Sequence, residues 1–292
     1  MPHVLVAGPA SWNTLVDVDA LPAPRSHTAM ARGHRRSLGG TSAGKALTLA
    51  RLDVPVTLRT ALGDDDAAEQ IVVALGHPLL TLAGERRPGA SEQHLNLMTP
   101  DGGRLSIYLD LPPDPGPPSR EVDTLLGTAD VVVADLAGHV RDLLPTIRSR
   151  AREVWCDVHD HDGVAEFQAP FVEAADVLVV STERLPDPRA YLAERVAAGT
   201  RWVVCTAGAR GALALGRDEG WLEVPAVPAV QVVDTNGAGD AFVAGMLRGH
   251  LDGLPLEACL RLGAAAGALA VASAGLVADV GLAQVRALAG LD

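Results

Sequence analysis

The sequence is poor in aromatic residues, and this limits how its core can be filled. Phe, Trp and Tyr together make up 3% of the 292 residues, whereas hydrophobic residues as a whole make up 48%. Ala, Val and Leu must therefore fill the interior. The length is enough for one large α/β domain or two small ones.

Cysteine is also scarce, which argues against a disulfide framework or a zinc site. The three cysteines, Cys156, Cys205 and Cys259, are odd in number and have neither C-x-x-C nor metal-ligand spacing. Each lies in an apolar run, which predicts buried free thiols in a reducing compartment. The amino terminus, MPHVLVAG, is typical of a first strand and not of a secretory signal peptide. We therefore expect a cytoplasmic protein.

Positive charge is the third shortage. The chain has 24 Lys and Arg residues against 36 Asp and Glu residues, so its formal net charge is −12. This balance argues against a nucleic-acid partner or an anionic membrane surface. Any bound phosphate must then be held by local dipoles and a metal. Lys45 is the only lysine, which we interpret as compositional bias because Ala and Arg are used heavily throughout.

One stretch has the composition of a membrane span. Residues 262–278, LGAAAGALAVASAGLVA, are apolar, but they are short for a bilayer crossing and follow Arg261 directly. Small residues also let a buried helix approach a sheet closely. We therefore predict a core helix here and no membrane partner.

Short β-branched runs alternate with amphipathic segments over most of the chain. Strands are predicted at 3–7, 56–61, 130–134, 153–157, 176–180 and 202–206, with shorter ones near 212–216, 221–224 and 230–233. Helical patterns such as 139–151 and 188–199 lie between them. Strands that alternate with helices predict a parallel sheet covered on both faces.

Two segments interrupt this alternation. Residues 12–37 are polar, contain prolines and lack a helical period, and residues 92–110 predict two strands joined at PDGG. An antiparallel piece inserted into an α/β core is a natural lid, and the proline-rich segment 111–119 would return the chain as a stiff connector. We predict one domain over residues 1–292, with lid segments at about 12–37 and 92–110.

Residues 39–45 have the spacing of a phosphate-binding P-loop. Gly39, Gly44 and Lys45 match G-x-x-x-x-G-K, but Ala46 stands where a hydroxyl should bind Mg²⁺. The preceding ARGHRRS is poor in strand formers, although a P-loop must follow a buried strand. We therefore reject the P-loop interpretation.

The strongest signal is VVDTNGAGDAFVAGML, residues 232–247. A strand runs into a turn, and Gly237, Ala238 and Gly239 then open a helix whose first turn contains Asp240. Small residues leave the amides of that helix start uncovered, and the helix dipole adds positive potential, which suits phosphoryl oxygens. A carboxylate among these amides is well placed to accept a proton from an attacking hydroxyl.

This string resembles the second signature of the ribokinase-like (PfkB) carbohydrate kinase family, D-T-x-G-A-G-D. The resemblance implies a ribokinase-like three-layer α/β/α core with a mostly parallel sheet and a small β lid. It implies ATP-dependent phosphorylation of a hydroxyl on a sugar or sugar-like molecule, with Mg²⁺ and a monovalent cation such as K⁺ as further cofactors. Asp240 would be the catalytic base, the amides of 237–240 the anion hole, and Asp234 a neighbour of the cation.

Other stretches resemble the family in the same order along the chain. Residues 62–71, LGDDDAAEQI, resemble its G-D-D-x-x-G segment, and CTAGARGAL at 205–213 resembles its nucleotide-side T-x-G-x-x-G. The nucleotide would accordingly meet Thr206, Gly208, Gly211, Thr235 and Gly239. The turn at Gly39 and Gly40 resembles the first signature, beside the sugar. Lys45 is then expected at the pocket edge or on the surface.

Three departures from the family pattern concern the acceptor and the metal. Asn13 stands nearest to the family's acidic sugar ligand, and the pocket asparagine of the first signature falls at Gly44. The N-x-x-E motif linked to Mg²⁺ falls on STER, where Glu183 is the partial substitute. These changes argue against ribose as the acceptor more than against kinase activity.

Two further pairs of residues are candidates for acceptor binding. Asp157 and His159 follow a predicted strand within CDVHDHDG, at the sheet edge where ligands bind in open α/β folds. A calcium loop fails here on spacing, and a solvated acidic loop is the alternative. His94 and Asn96 share the outward face of the first lid strand, where they would meet the acceptor or would simply be exposed.

Two other functions stay open at this point. A nucleoside kinase of the same family would phosphorylate a ribosyl hydroxyl, but Trp12 is the only aromatic residue near the predicted acceptor residues. A non-catalytic regulator that binds a sugar or nucleotide is favoured by the altered positions and opposed by the intact Asp240. The family resemblance also suggests a lid-mediated homodimer.

Overall fold

The computed structural model describes residues 2–100, 102–228 and 232–291. Their strands are β1 (Val4–Ala7), β2 (Ser11–Asp17), β3 (Gly33–Gly39), β4 (Val56–Leu62), β5 (Leu80–Arg86), β6 (Gln93–Met98), β7 (Arg104–Asp110), β8 (Val131–Asp135), β9 (Val154–Asp157), β10 (Val177–Ser181), β11 (Trp202–Thr206), β12 (Ala212–Gly216) and β13 (Gly220–Val224). Their helices are α1 (Thr41–Arg51), α2 (Asp66–Ala74), α3 (Arg120–Thr128), α4 (Gly138–Arg141), α5 (Leu144–Arg150), α6 (Ala169–Ala174), α7 (Pro188–Ala197), α8 (Ala238–Leu251), α9 (Leu256–Val271) and α10 (Leu282–Ala289).

Nine of these strands form the main sheet, in the order β13-β12-β11-β10-β9-β8-β1-β4-β5. All neighbours from β11 to β5 pair parallel, and only the pairs β11–β12 and β12–β13 are antiparallel, so β12 alone is reversed in this sheet. The predicted mostly parallel sheet is therefore confirmed. Each of the six longer predicted strands occurs within one residue of its expected bounds.

Side-chain alternation divides the core into two layers. In β1, Val4 and Val6 pack with apolar residues of α1 and α8, whereas Leu5 and Ala7 pack with those of α3, α5 and α6. We call the two sides the α1/α8 face and the α3/α5 face of the main sheet. Because successive strand residues point to opposite faces, this parity fixes on which face each strand-end side chain lies.

The small sheet has the order β3-β2-β6-β7. The pairs β2–β3 and β6–β7 are antiparallel, which confirms the predicted hairpin in 92–110, while β2 and β6 are parallel. Residues 12–37, predicted as a polar lid segment with no helical period, supply nearly all of β2 and most of β3. The grouping of 12–37 and 92–110 as one lid unit within a single domain stays a prediction.

The apolar stretch 262–278 is helical only in its first part, so the prediction for its second part was wrong. Helix α9 ends at Val271, after which the chain turns and Leu276 packs back into the core of the α1/α8 face. The described residues contain no helix that is long and apolar enough to cross a bilayer. The strand predicted near 230–233 falls partly on residues 230 and 231, outside the described residues, and the prediction is wrong for Val232 and Val233, which are not in a strand.

Candidate active site

Four neighbouring parallel strands end in polar side chains on the same face of the main sheet. Strands β8, β9, β10 and β11 finish at Asp135, Asp157, Ser181 and Thr206. Each lies two residues after a valine or tryptophan of the α1/α8 core layer, so all four side chains belong to that face. Asp135 pairs with Asp157, and Ser181 pairs with Thr206. A polar row therefore runs along the carboxyl edge of the sheet.

Lys45 lies in the middle of this edge, and the expectation that it sits at the pocket edge or surface is wrong. Its Nζ lies 2.7 Å from Asp240 Oδ1, 3.1 Å from Asp157 Oδ2 and 3.2 Å from Asp135 Oδ1. Its side chain is 1% exposed. Helix α1 packs between the sheet and α8, and its residues 42–50 are all buried, so a lysine on α1 faces the strand ends instead of solvent.

Two glycines make room for these carboxylates. A Cβ on Gly8 would lie 2.1 Å from Ser42 Oγ and 2.8 Å from Asp135 Cβ. Ser42 Oγ donates a 2.7 Å hydrogen bond to Asp135 Oδ2. A Cβ on Gly44 would lie 2.9 Å from Asp240 Oδ2, so the glycine that replaces the family's pocket asparagine leaves space for the carboxylate.

The cluster shifts the ionisation of its members in different directions. Burial raises the pKa of Asp240 to about 6, although Lys45 and His159 oppose the rise. Burial alone would also raise the pKa of Asp157, but His159 and Lys45 lower it below its usual value. Burial alone would lower the pKa of Lys45, but the three aspartates raise it well above its usual value. Perturbed carboxyl groups in one cluster are typical of functional sites.

Asp135, Asp157 and His159 are close enough to be considered as metal ligands. Their ligand atoms lie within 4.8 Å of one another. The ammonium of Lys45, however, is already within 3.2 Å of both carboxylates and supplies a cation there. We therefore assign no metal to this group.

His159 occupies a strained turn directly after β9. Its φ of 51° is in the left-handed region, and its amide donates a 3.0 Å hydrogen bond to Asp157 Oδ1. Its imidazole Nδ1 lies 3.6 Å from Asp157 Oδ2, and its side chain is 31% exposed. The structure thus brings both predicted residues of CDVHDHDG to the cluster, with the imidazole on its open side.

The residues predicted to form an anion hole, 237–240, lie at the start of α8. Gly237 precedes the helix at φ 77°, where an added Cβ would meet the carbonyl oxygen of Leu276 at 2.1 Å. A Cβ on Gly239 would meet no atom of the described residues within 4 Å. First-turn amides have no intrahelical acceptor, and Gly239 is exposed whereas Asp240 is buried.

Asp234, predicted near a cation, is paired with an arginine of the small sheet. Its Oδ2 accepts a 2.8 Å hydrogen bond from Arg35, and its Oδ1 accepts one of 2.8 Å from the amide of Asn236. Arg104 on β7 donates a 3.2 Å hydrogen bond to Asn236 Oδ1. Thr235 is exposed between them. The small sheet therefore touches the loop before the anion hole through two arginines that sequence reasoning missed.

The inner face of the small sheet is polar and buried, so the expectation that His94 and Asn96 point outward is wrong. His94 is 9% exposed and Asn96 3%. His94 Nε2 is 2.9 Å from Glu92 Oε1, and its ring lies 3.9 Å from that of Tyr108. Three buried atoms of this face, Ser11 Oγ, Asn13 Oδ1 and Asn96 Oδ1, have no hydrogen-bond partner among the described residues.

The turn from the small sheet into α1 is built from two glycines. Gly39 ends β3 against Asn13, and Gly40 adopts φ 90°, where a Cβ would lie 2.5 Å from the carbonyl oxygen of Pro9. A strand does lead into this turn, but residues 33–37 of β3 are not buried, so it is not the buried strand that a P-loop must follow. The P-loop stays rejected because Lys45 points into the aspartate cluster and Ala46 offers no hydroxyl.

Three of the predicted nucleotide residues, Thr206, Gly208 and Gly211, lie at the other end of the polar row. Thr206 Oγ1 donates a 3.4 Å hydrogen bond to the carbonyl of Val180. Gly208 and Gly211 both have positive φ, at 55° and 93°, and a Cβ on Gly211 would lie 2.0 Å from the carbonyl oxygen of Val224. Glu183 is exposed nearby, and its amide donates to Ser181 Oγ.

Comparisons with known proteins show which family this chain resembles. The family model of the pfkB family carbohydrate kinases matches residues 162–280. The acarbose 7(IV)-phosphotransferase of Actinoplanes sp. is 33% identical over 281 residues, which is 91% of each chain. A solved microbiome-derived acarbose kinase superimposes with a TM-score of 0.86 at 28% identity, over 99% of both chains. The Arabidopsis thaliana ribokinase complexed with ribose and ATP shares the fold, with a TM-score of 0.81 at 22% identity over 100% of this chain and 99% of that one.

Proposed function

This chain belongs to the pfkB family of carbohydrate kinases, which transfer a phosphoryl group from ATP to an alcohol group, and we propose that Asp240 is its general base. One observation carries the proposal. Asp240 is a buried carboxylate in the first turn of α8, beside open space at Gly239 and fixed by Lys45. With a pKa of about 6 it is ionised at neutral pH and can accept the proton of an acceptor hydroxyl. General-base help contributes about 10²–10⁴-fold in rate.

The amides at 237–240 are the proposed anion hole for the transferred phosphoryl group. They belong to a helix amino terminus, whose dipole stabilises negative charge. Phosphoryl transfer depends mainly on positioning and electrostatic stabilisation, which is what fixed amides supply. The nucleotide would extend from there toward Thr206, Gly208 and Gly211, past Thr235.

The carboxylates predicted for a metal fit Mg²⁺ only in part. Glu183 is exposed and available, but Asp234 is buried and already paired with Arg35. Mg²⁺ usually binds through one or two carboxylates together with substrate phosphates. We therefore propose that Mg²⁺ arrives with ATP, and we assign no step to it. A K⁺ requirement near Asp234 is proposed only from the family resemblance.

The acceptor would bind between the inner face of the small sheet and the aspartate cluster. Ser11, Asn13 and Asn96 offer buried oxygen atoms that lack partners among the described residues, and a polyhydroxylated molecule has the donors to satisfy them. Gly39, Gly40 and Gly44 would line the floor, and Asp157 and His159 the far side. Closure of the lid would exclude water and favour the acceptor over hydrolysis of ATP.

Acarbose is our first candidate acceptor, because two similar proteins are named for acting on it. A nucleoside is the second candidate, and one observation favours it. The ring of Tyr108 lies 3.9 Å from that of His94 at the inner face, tilted by 49°, and Tyr108 is 62% exposed, so it offers a ring for a nucleobase. Trp12, in contrast, packs against the main core and offers none.

We also propose a lid-mediated homodimer. Strand β7 is the edge of the small sheet, and all seven of its residues are exposed, including Leu105, Ile107 and Leu109. An exposed apolar edge strand is normally covered by a partner. Sedimentation of the protein and of Ile107→Asp tests this, because a monomer in both cases contradicts it. The buried free thiols support a reducing, cytoplasmic location.

The deciding experiment is ADP release with Mg²⁺, with and without K⁺, over acarbose, simple sugars, sugar phosphates and nucleosides. Turnover on one compound that is lost in Asp240→Asn, while ATP still raises the melting temperature, would support the proposal. Wild-type turnover in Asp240→Asn would sink the assignment of the base. Ligand-dependent stabilisation without ADP release from any acceptor would favour the regulator.

A further inference from the structure

Lys45, the only lysine of the chain, is buried, and its ammonium is paired with three carboxylates. Its Nζ joins carboxylates from three elements, Asp240 on α8, Asp135 on β8 and Asp157 on β9. One positive and three negative groups are thus enclosed together. Carboxylates so close to one another disfavour ionisation of each other unless a cation lies between them.

The three carboxylates do not depend on Lys45 equally. Asp135 also accepts a hydrogen bond from Ser42 Oγ, and Asp157 also accepts one from the amide of His159. Asp240 Oδ1 accepts a hydrogen bond only from Lys45 among the described side chains. Loss of the lysine would therefore affect Asp240 more than the other two aspartates.

Two consecutive residues of α1 lie against different oxygens of the Asp240 carboxylate. Lys45 donates to Oδ1, while Gly44 leaves space where a Cβ would come within 2.9 Å of Oδ2. The first contact fixes the carboxylate, and the second keeps its other oxygen uncovered. The pair thereby sets which oxygen is free for a hydroxyl.

We propose that Lys45 is a positioning residue that keeps Asp240 negatively charged and turns its Oδ2 toward the acceptor hydroxyl. This inference rests on the proposed role of Asp240 as the base. Lys45 does not touch the reacting atoms. It acts through Asp240, and its positive charge offsets Asp135, Asp157 and the burial that would otherwise protonate the base.

The sign of the pH effect follows from the groups that face Asp240. Burial and Asp135 raise its pKa, whereas Lys45 on α1 and His159 after β9 lower it. Removal of Lys45 therefore raises the pKa further, and the acidic limb of kcat/KM moves to higher pH. A purely structural lysine would lower the rate at every pH and leave the limb in place.

The experiment compares pH profiles of the wild type, Lys45→Met, Lys45→Arg and Arg51→Met. In Lys45→Met the acidic limb should move up by at least about one pH unit, with kcat reduced and the acceptor KM within about threefold. Lys45→Arg should keep the limb near its wild-type position, because it retains the charge. Arg51 is the matched control, since it is a cation on the same helix that pairs with Asp279. An unmoved limb in folded Lys45→Met overturns the proposal.

A second measurement keeps the test decisive if Lys45→Met does not fold. Because the chain has one lysine, ¹⁵Nζ labelling gives one side-chain ammonium signal in the intact protein. That signal should titrate with the midpoint of the acidic limb in the wild type and lose this response in Asp240→Asn. A signal that is insensitive to pH around that midpoint overturns the proposal.

Failure of this inference can be told from failure of the proposed function. Full turnover in Asp240→Asn would refute the proposed role of Asp240 as the base, and with it the role of Lys45. An inactive Asp240→Asn together with an unmoved acidic limb in Lys45→Met would refute the role of Lys45 alone.

Discussion

Two buried ionic clusters lie at the carboxyl edge of the main sheet, one on each face. On the α1/α8 face, Lys45 meets three aspartates. On the opposite face, Arg59 pairs with Glu85 at 2.6 Å and donates to the carbonyl of Gly116. Only the first cluster has an excess of carboxylates, and only it adjoins a helix start with uncovered amides. Burial of charge does not by itself identify an active site; we place the proposed site at the first cluster because an excess of buried carboxylates there adjoins the start of α8.

The largest expected difference concerns the carboxylates of Asp240 and Glu85, one in each cluster. Asp240→Asn should lower kcat by about 10³-fold, because an amide cannot take the proton of the acceptor. Glu85→Gln makes the same chemical change in the other cluster and should leave kcat within about threefold. Steady-state ADP release measures both variants. Equal losses in the two would show that the clusters do not differ in function.

Loss of the cation in the second cluster should reduce stability without changing the pH dependence of activity. Arg59→Met leaves Glu85 without its buried partner and should lower the free energy of unfolding by about 3 kcal/mol. The acidic limb of the folded enzyme should stay in place. Urea denaturation gives the first result and the pH profile the second. Arg86→Met, which breaks the exposed pair with Glu69, should cost less than about 1 kcal/mol.

Low pH should reduce the stability of the protein through His139, whose pKa is influenced by Arg59 of the second cluster, and should not change catalysis through that cluster. Burial, helped by Arg59, lowers the pKa of His139 from 6.5 to about 4. Between these values the unfolded chain binds a proton that the folded chain does not, so stability falls as the pH falls. His139→Gln should recover about 2 kcal/mol of that loss at pH 4.5. Denaturation at pH 7 and 4.5 measures it. An equal recovery in His27→Gln, on an exposed loop, would contradict this explanation.

The smallest expected effect concerns alanine substitutions at two glycines where an added Cβ has no close neighbour. A Cβ on Gly239 or on Gly138 meets no described atom within 4 Å. Both alanine variants should fold, but only Gly239→Ala places a methyl group over the proposed anion hole, and it should lower kcat by about tenfold. Steady-state kinetics at saturating ATP compares the two. An unchanged rate in Gly239→Ala would place the phosphoryl group elsewhere.

Much of the fold could be predicted from local patterns. Apolar β-branched runs located the six longer strands, and the composition of PDGG located the β6–β7 hairpin. The D-T-x-G-A-G-D string identified the family, which the comparisons confirm. Helix α9 was placed too far toward the carboxyl terminus, because the same small apolar residues continue past Val271 into a turn.

The site could be predicted only where one segment forms it. Gly237 and Asp240 lie within one turn, and the structure places them together at the start of α8. Asp135 was missed, although it ends β8 as Asp157 ends β9, and that shared position was the available signal.

The sequence by itself determined the six longer predicted strands and the helix start at 237–240, because each depends on neighbours in the chain. Tertiary structure alone decided that Lys45 meets Asp240, 195 residues away, and that Arg35 meets Asp234, 199 residues away. A side chain's partner depends on how helices and sheets pack. A lysine on a helix of small residues therefore gives no local sign that it will be buried among three carboxylates.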